Sequence, residues 1–149
     1  YYWWPKFFGR MYNKTIANLG CLLVFIGFNA TFFPQFIMGS QGMPRRYYSY
    51  LPQYEPYHQA STIGAMILGF GILVVFFGLL HAMVKGKPCG PHPWGANTLA
   101  WFTTAPPPKE NYAVQPEGTV PYDYTQMRWD EATQSYVSTD SSTPGYVAG

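Results

Sequence analysis

At 149 residues, 48% of them hydrophobic and only 11% charged, the chain falls far below the roughly 25% charged residues of a soluble domain, which sets aside an ordinary soluble fold in favour of a membrane protein. The net charge of +2 comes without a basic run and without an RNA-binding or helix-turn-helix signature, so no nucleic-acid partner is expected. Cys21 lies inside an apolar run and Cys89 outside one, so a disulfide would have to join different depths; both read as free thiols.

In chain order, residues 1–15 place Lys6, Arg10 and Lys14 ahead of the first apolar run. From Ile16 to Met38 the chain reads IANLGCLLVFIGFNATFFPQFIM without a charge, and at 1.5 Å per residue this exceeds a hydrocarbon core of roughly 30 Å. Residues 16–38 are therefore predicted to form a transmembrane helix. A cleaved signal has a shorter apolar core and a small-residue cleavage site, whereas Pro34 and Gln35 follow aromatics here, so the helix is expected to stay in the mature protein. Residues 39–60 form a loop containing GMPRRYYSY. A second transmembrane helix is predicted over 61–84, where Ile63 to Val84 reads IGAMILGFGILVVFFGLLHAMV. Residues 85–149 form a tail rich in proline, glycine and aromatics, partly irregular, with Trp94 and Trp101 suited to the membrane interface.

Neither helix has the sequence of a lone anchor. Ser61, Ala65 and Gly69 fall four apart, and Gly78 and Ala82 repeat the spacing, which predicts small-residue faces where another helix approaches closely. Asn18, Asn29, Thr31 and Gln35 put hydrogen-bonding groups at membrane depth, where an unpartnered polar group is expensive. Both features predict neighbouring helices.

Lysine and arginine placement sets the expected orientation. Lys6, Arg10 and Lys14 precede the first helix and Lys85 and Lys87 follow the second, so both chain ends belong on the cytoplasmic or matrix side and the loop outside. Arg45 and Arg46 then stand on the side that should carry few cations, with Glu55 as the only acidic residue in the loop. A solvated loop with incidental charge accounts for the pair, and so does a fixed anion supplied by a cofactor or another subunit. Paired guanidiniums suit carboxylates, because each presents a planar fork of donors that does not deprotonate.

FIGFNATFFPQ, then GMPRRYYSY, then STIGA opening the next helix, then HPWGANTLAW and a PPP run resemble, in that order, the C-terminal part of subunit I of haem-copper oxidases, of the cytochrome c oxidase type. The opening YYWWPKFFGRMY is similar to the end of that subunit's tenth helix and the link to its eleventh, so the likeness covers about residues 1–108. The resemblance implies an all-α membrane protein: the last two transmembrane helices of a twelve-helix bundle, the end of a preceding helix and inner link over 1–15, and an irregular tail. It implies that Arg45 and Arg46 reach the propionates of two haems. It also implies, for the complete subunit, two haems of a type and copper, with the remaining helices of subunit I, subunits II and III, cytochrome c and the lipid bilayer as partners, in a bacterial cytoplasmic or mitochondrial inner membrane. The family's metal-ligating histidines lie upstream, so no metal ligand and no catalytic residue is expected in this segment.

Its own histidines, His58 in the loop, His81 at the inner end of the last helix and His92 in the tail, have no helical metal-site spacing; Cys89 and His92 offer two ligands where a closed zinc site wants four. One departure stands out: the family often has a histidine after the Pro-Gln of FFPQ, where this chain has Phe36. From about Val120 the tail is polar but studded with Tyr122, Tyr124, Trp129 and Tyr136, consistent either with disorder or with docking on a neighbouring subunit. The function expected is part of a proton-pumping oxidase that carries electrons from cytochrome c to dioxygen. A quinol oxidase segment and a non-catalytic two-helix accessory subunit are the alternatives.

Overall fold

The structure, a computed structural model, describes residues 1–96, 98–101, 103–110 and 127–138. Its elements are α1 (Trp4–Phe8), β1 (Arg10–Met11), α2 (Lys14–Ser40), α3 (Glu55–Lys85), β2 (Lys87–Pro88), β3 (Met127–Asp130) and β4 (Ser135–Ser138), with 3₁₀ turns at Pro52–Tyr54 and Leu99–Trp101. They form two compact units, residues 13–80 and residues 1–12 with 81–149.

In the first unit α2 begins where Asn13 caps it, its side-chain oxygen accepting from the amides of Thr15 at 2.9 Å and Ile16 at 3.2 Å. Both helices are long and apolar enough to cross a membrane. They also overrun the apolar stretches: α2 starts before Ile16, and α3 starts at Glu55 rather than near residue 61. Helical hydrogen bonds are made by the backbone, so a polar side chain such as Glu55 or Gln59 ends the apolar surface without ending the helix. His58, expected in the loop, therefore sits in the opening turns of α3.

The two helices run antiparallel, since Ile16 lies beside Gly78, Leu23 beside Gly71 and Ala30 beside Gly64. Within residues 13–80 the buried helix positions are Ala17, Gly20, Gly27, Thr31 and Met38 on α2, and Ser61, Gly64 and Gly71 on α3. Separations of three, four and seven residues recur along these seams, the signature of helices meeting along a narrow stripe. A strict four-residue step drifts around the helix. Ala65 and Gly69, predicted to share a face with Ser61, are consequently exposed, and a Cβ on Gly69 would meet nothing within 4 Å. The close approach falls instead at Gly64, where a Cβ would lie 2.5 Å from the Ala30 carbonyl carbon, and at Gly71, where it would lie 2.9 Å from Leu23 Cβ. Outside the seam, Leu19, Phe25, Met66 and Phe77 remain exposed, an apolar surface suited to lipid or to further helices.

The second unit is held by chain ends that meet. α1 carries Pro5 in its first turn, where the missing amide costs nothing, and stops at Gly9, whose φ of +61° favours a residue without Cβ. β1 then pairs antiparallel with β2, Arg10 opposite Pro88 and Met11 opposite Lys87. Arg10 Nη1 donates to the carbonyls of Val84 at 3.1 Å and Gly86 at 3.2 Å, placing a cation on the carboxyl end of α3.

Around this junction lies a small core of Pro5, Lys6, His92, Trp101 and Ser135. The Trp3 ring stacks on Trp101 with centroids 5.1 Å apart, and Trp94 Nε1 donates to the Tyr2 carbonyl at 2.9 Å. Lys6 is 2% exposed; its Nζ donates to the Thr103 carbonyl and, at 3.4 Å, to that of Trp101. Burial pulls its pKa down to about 8.

The tail docks on the same core. β3 and β4 form an antiparallel hairpin whose turn is fixed by Asp130, its carboxylate accepting from the Ala132 amide at 3.2 Å and the Thr133 hydroxyl at 2.8 Å. The Ser135 hydroxyl accepts from the His92 amide at 2.9 Å, and the Tyr136 amide donates to the His92 carbonyl at 2.9 Å. Residues 127–138 are thus an ordered hairpin, and Tyr136 is used within the chain, its ring against Gly95 and Trp129. Tyr122 and Tyr124 lie outside the described residues.

Candidate cofactor-contact site

The loop between α2 and α3 is short because α3 starts early, and it is pinned at both ends. Gln41 closes α2, its carbonyl accepting from the Tyr54 hydroxyl at 3.0 Å, and Tyr54 is 5% exposed under the 3₁₀ turn. Gly42, at φ +90°, reverses the chain just before the two arginines.

Arg45 and Arg46 are exposed, and among the described residues neither guanidinium has a hydrogen-bond or ion-pair partner. Glu55, the loop's acidic residue at the sequence level, is engaged one turn along α3, its carboxylate accepting from Gln59 Nε2 at 3.3 Å. Arg45, with Gln35, Phe36, Tyr47 and His58, lines a concavity of about 740 Å³; Arg46 does not line it. The structure thus separates two residues that the sequence offered as an equivalent pair.

His58 was missed as a site residue because its place in the loop hid its helical phase. Three residues before Ser61 on α3, it falls on the seam side of the helix and faces the concavity. Its ring lies 4.2 Å from that of Tyr50 and 5.6 Å from that of Tyr47, and its Nε2 is buried without a partner among the described residues. Phe36, where the resemblance often has histidine, lines the same space, so the imidazole there comes from α3 rather than α2.

Just inside the concavity the polar groups of the seam are satisfied. Gln35 Nε2 donates to Ser61 Oγ at 2.8 Å, and Ser61 Oγ donates to the Thr31 carbonyl at 2.9 Å. Thr31 Oγ1 bonds back to the Gly27 carbonyl at 2.7 Å, and Asn29 does the same to Phe25 at 2.7 Å.

A carboxylate fits this site. Arg45, whose guanidinium has no partner among the described residues, lines the concavity, and a planar fork of donors there is suited to an anion. No group of three or more His, Cys, Asp or Glu that could hold a metal ion occurs among the described residues. Burial pushes the Cys89 thiol up and the His92 imidazole down, and the His92 ring packs edge-on to Trp101 and Tyr136.

Comparison with known proteins shows what the chain is similar to. A family model described as Cytochrome C and Quinol oxidase polypeptide I matches residues 1–67, which include α2, both arginines and the start of α3. The chain is 42% identical over 134 residues to the Cytochrome c oxidase subunit 1 of Thermostichus vulcanus, covering 89% of this chain and 24% of that protein. It is 38% identical over 148 residues to the Heme-copper oxidase subunit I+III of Aeropyrum pernix, covering 99% and 18%. With the Cytochrome c oxidase subunit 1 of Bacillus sp. strain PS3 it shares 40% over 119 residues, covering 78% and 19%. The chain spans about a quarter or less of the length of these relatives. It matches the C-terminal part of subunit I of the haem-copper oxidase family, of the cytochrome c oxidase type.

Proposed function

We propose that this chain serves as the C-terminal part of subunit I in a proton-pumping terminal oxidase that takes electrons from cytochrome c and reduces dioxygen to water. In this reading α2 and α3 are the last two of twelve membrane helices, α1 is the end of the tenth, and the exposed apolar faces of α2 and α3 are covered by the other helices and by lipid. Arg45 and Arg46 hold haem propionates at the outer surface, while both chain ends lie on the cytoplasmic or matrix side. Two haems and copper are ligated by the rest of the subunit and supply the electron-transfer chemistry when bound; this chain contributes charge and packing. Subunits II and III and cytochrome c complete the assembly.

The observation that carries the reading is the pair of guanidiniums, without a carboxylate partner among the described residues, in a loop of this family. A solvated loop gives no reason for Arg45 to line a concavity between the loop and both helices. The two-helix accessory reading draws no support from matches that run to subunit I itself.

The test uses the complete oxidase. Arg45→Leu and Arg46→Leu each leave a carboxylate without its partner, a change on the order of 3–5 kcal/mol when buried and less where water enters. The expected outcome is retained haem with shifted reduction potentials and impaired turnover or pumping, larger at Arg45 than at Arg46, and partly rescued by lysine. A double leucine variant with unchanged potentials and turnover would return both residues to the status of surface charges. The family description also names quinol, so reduced cytochrome c and a quinol, offered in turn, identify the donor.

A further inference from the structure

We infer that the carboxyl end of α3, where Arg10, Lys85 and Lys87 come together, binds the phosphate of an anionic glycerophospholipid whose acyl chains lie along the exposed face of the helix. The inference goes beyond the haem contacts and does not rest on them. It concerns the end of α3 remote from the arginine loop, and residues that take no part in holding a propionate.

Three observations carry it. First, backbone geometry brings three permanent cations to one junction. Arg10 Nη1 donates to the carbonyls of Val84 at 3.1 Å and Gly86 at 3.2 Å, on either side of Lys85, and Lys87 pairs with Met11, the residue after Arg10. The Cys89 amide, donating to the Gly9 carbonyl at 3.1 Å, closes the same junction. Second, most of their donors are unspent. Arg10 commits Nη1 alone, and among the described residues the ammonium groups of Lys85 and Lys87 have neither a hydrogen-bond nor an ion-pair partner. Third, α3 is long and apolar enough to cross a membrane and ends at Lys85, with Val84 67% exposed beside it. The cations thus stand where an apolar surface gives way, which is the level of lipid headgroups.

A competing account is that these residues only offset the negative end of the helix. Magnitudes decide against it. That end carries about half a unit of negative charge, and Arg10 alone, seated on two of its carbonyls, exceeds this. Lys85 and Lys87 are left over. Asp130, a carboxylate of the same unit, is engaged in the hairpin turn with Ala132 and Thr133.

The chemistry of the junction selects the ligand. Arg10 keeps Nε and Nη2 for the non-bridging oxygens of a phosphodiester, and the lysines add point charges. What marks the ligand as a lipid is the neighbouring surface. His81, Val84 and Lys85, at i, i+3 and i+4, share one exposed face of α3, so an apolar contact and a cation lie side by side there. A free phosphate uses only the second.

The test uses the complete purified oxidase in phosphatidylcholine bilayers that carry a trace of photoactivatable phosphatidylglycerol or, in a parallel sample, photoactivatable phosphatidylcholine. Cross-linked peptides are mapped by mass spectrometry. In wild type, phosphatidylglycerol should label the segment 81–88 in excess over phosphatidylcholine. Each cation removed should cut that labelling about fivefold. Lys85→Gln therefore lowers it and the double variant with Lys87→Gln lowers it further, while Arg128→Gln, which removes an exposed charge from β3, leaves it unchanged. Arg10→Lys keeps the charge, loses the fork and should fall between wild type and Lys85→Gln.

Equal labelling by the two lipids, or labelling by phosphatidylglycerol that ignores both lysines, would overturn the site. An equal drop in Arg128→Gln would report bulk surface charge, and full displacement by soluble glycerol phosphate would report a site for free phosphate; either result overturns the lipid assignment. Absence of label from 81–88 with both lipids would show another part of the oxidase covering this end of the helix, and would overturn it as well. The lysine substitutions break no side-chain hydrogen bond among the described residues, so the test stands even where Arg10→Lys fails to assemble.

Discussion

Gln35 on α2 and Ser61 on α3 are joined by a hydrogen bond of 2.8 Å, and the same Ser61 hydroxyl passes its proton toward the Thr31 carbonyl at 2.9 Å. One hydroxyl thereby serves both helices. Pro34, inside α2, cannot donate to the carbonyl of Ala30, the residue against which Gly64 of α3 packs. Ser61→Ala should cost about 1–2 kcal/mol, since it strands the Gln35 amide and removes the contact to Thr31. Thermal unfolding of the purified complex measures this. Adding Gln35→Leu to Ser61→Ala should recover part of the loss, as expected for two partners of one interaction.

Gly64 is the tightest point of the seam that α3 offers to Ala30. A methyl group there would sit 2.5 Å from the Ala30 carbonyl carbon and the Thr31 amide nitrogen, both backbone atoms that yield only if the helices part. Gly64→Ala is expected to destabilise by about 1–3 kcal/mol, in the manner of an overpacked core, and to lower the amount of assembled oxidase. Wild-type levels of stable complex in that variant would show that the helices do not meet as described. Gly69→Ala meets nothing within 4 Å among the described residues, so a comparable loss there would report a helix from the rest of the subunit covering that face.

Lys6 supplies a pH dependence whose sign is opposite to that of a surface lysine pair. Burial lowers its pKa from 10.5 to about 8, so the folded state holds the proton less firmly than the unfolded chain. Its charged form penalises folding in full below pH 8, and the penalty is relieved as pH rises from about 8 to about 10.5. The difference in thermal stability between wild type and Lys6→Met should therefore shift in favour of wild type across that interval. A difference that stays flat with pH would mean that the ammonium is solvated rather than buried beside Trp101 and Thr103.

Orientation is tested by thiol labelling. Cys89 is half-buried and burial raises its pKa, so its thiolate fraction is low and it should react slowly with maleimide from the cytoplasmic or matrix side, and not at all from outside. A cysteine replacing Ser49, in the loop, should label from outside. Rapid labelling of Cys89 by a membrane-impermeant reagent added outside would reverse the proposed topology.

Much of this protein was legible before any coordinates. Two uncharged runs of bilayer length specify long helices, because an uninterrupted apolar stretch has few ways to satisfy its backbone except within itself. The motif order from FFPQ through PRR to PWGANTLAW resembles that of haem-copper oxidase subunit I, and the family model and the relatives that the chain is similar to are of the same kind. What the sequence could not deliver was phase and long-range contact. Four-residue spacing suggested that Ala65 and Gly69 share a face with Ser61, whereas steps of three and seven put Gly64 and Gly71 there. The end of an apolar run looked like the end of a helix, and this hid His58.

Composition by itself therefore determined that the chain has two membrane-length helices, and local motifs determined their kind. Only the tertiary structure decided which residues meet: Gln35 with Ser61, Lys6 with the carbonyls of Trp101 and Thr103, the hairpin 127–138 with His92, and His58 with the wall that Arg45 borders. The reason is physical. Apolar length and charge placement are properties of a segment and act wherever it lies. A contact between residues 95 positions apart, as between Lys6 and Trp101, depends on the path of everything between them, and no local pattern encodes it.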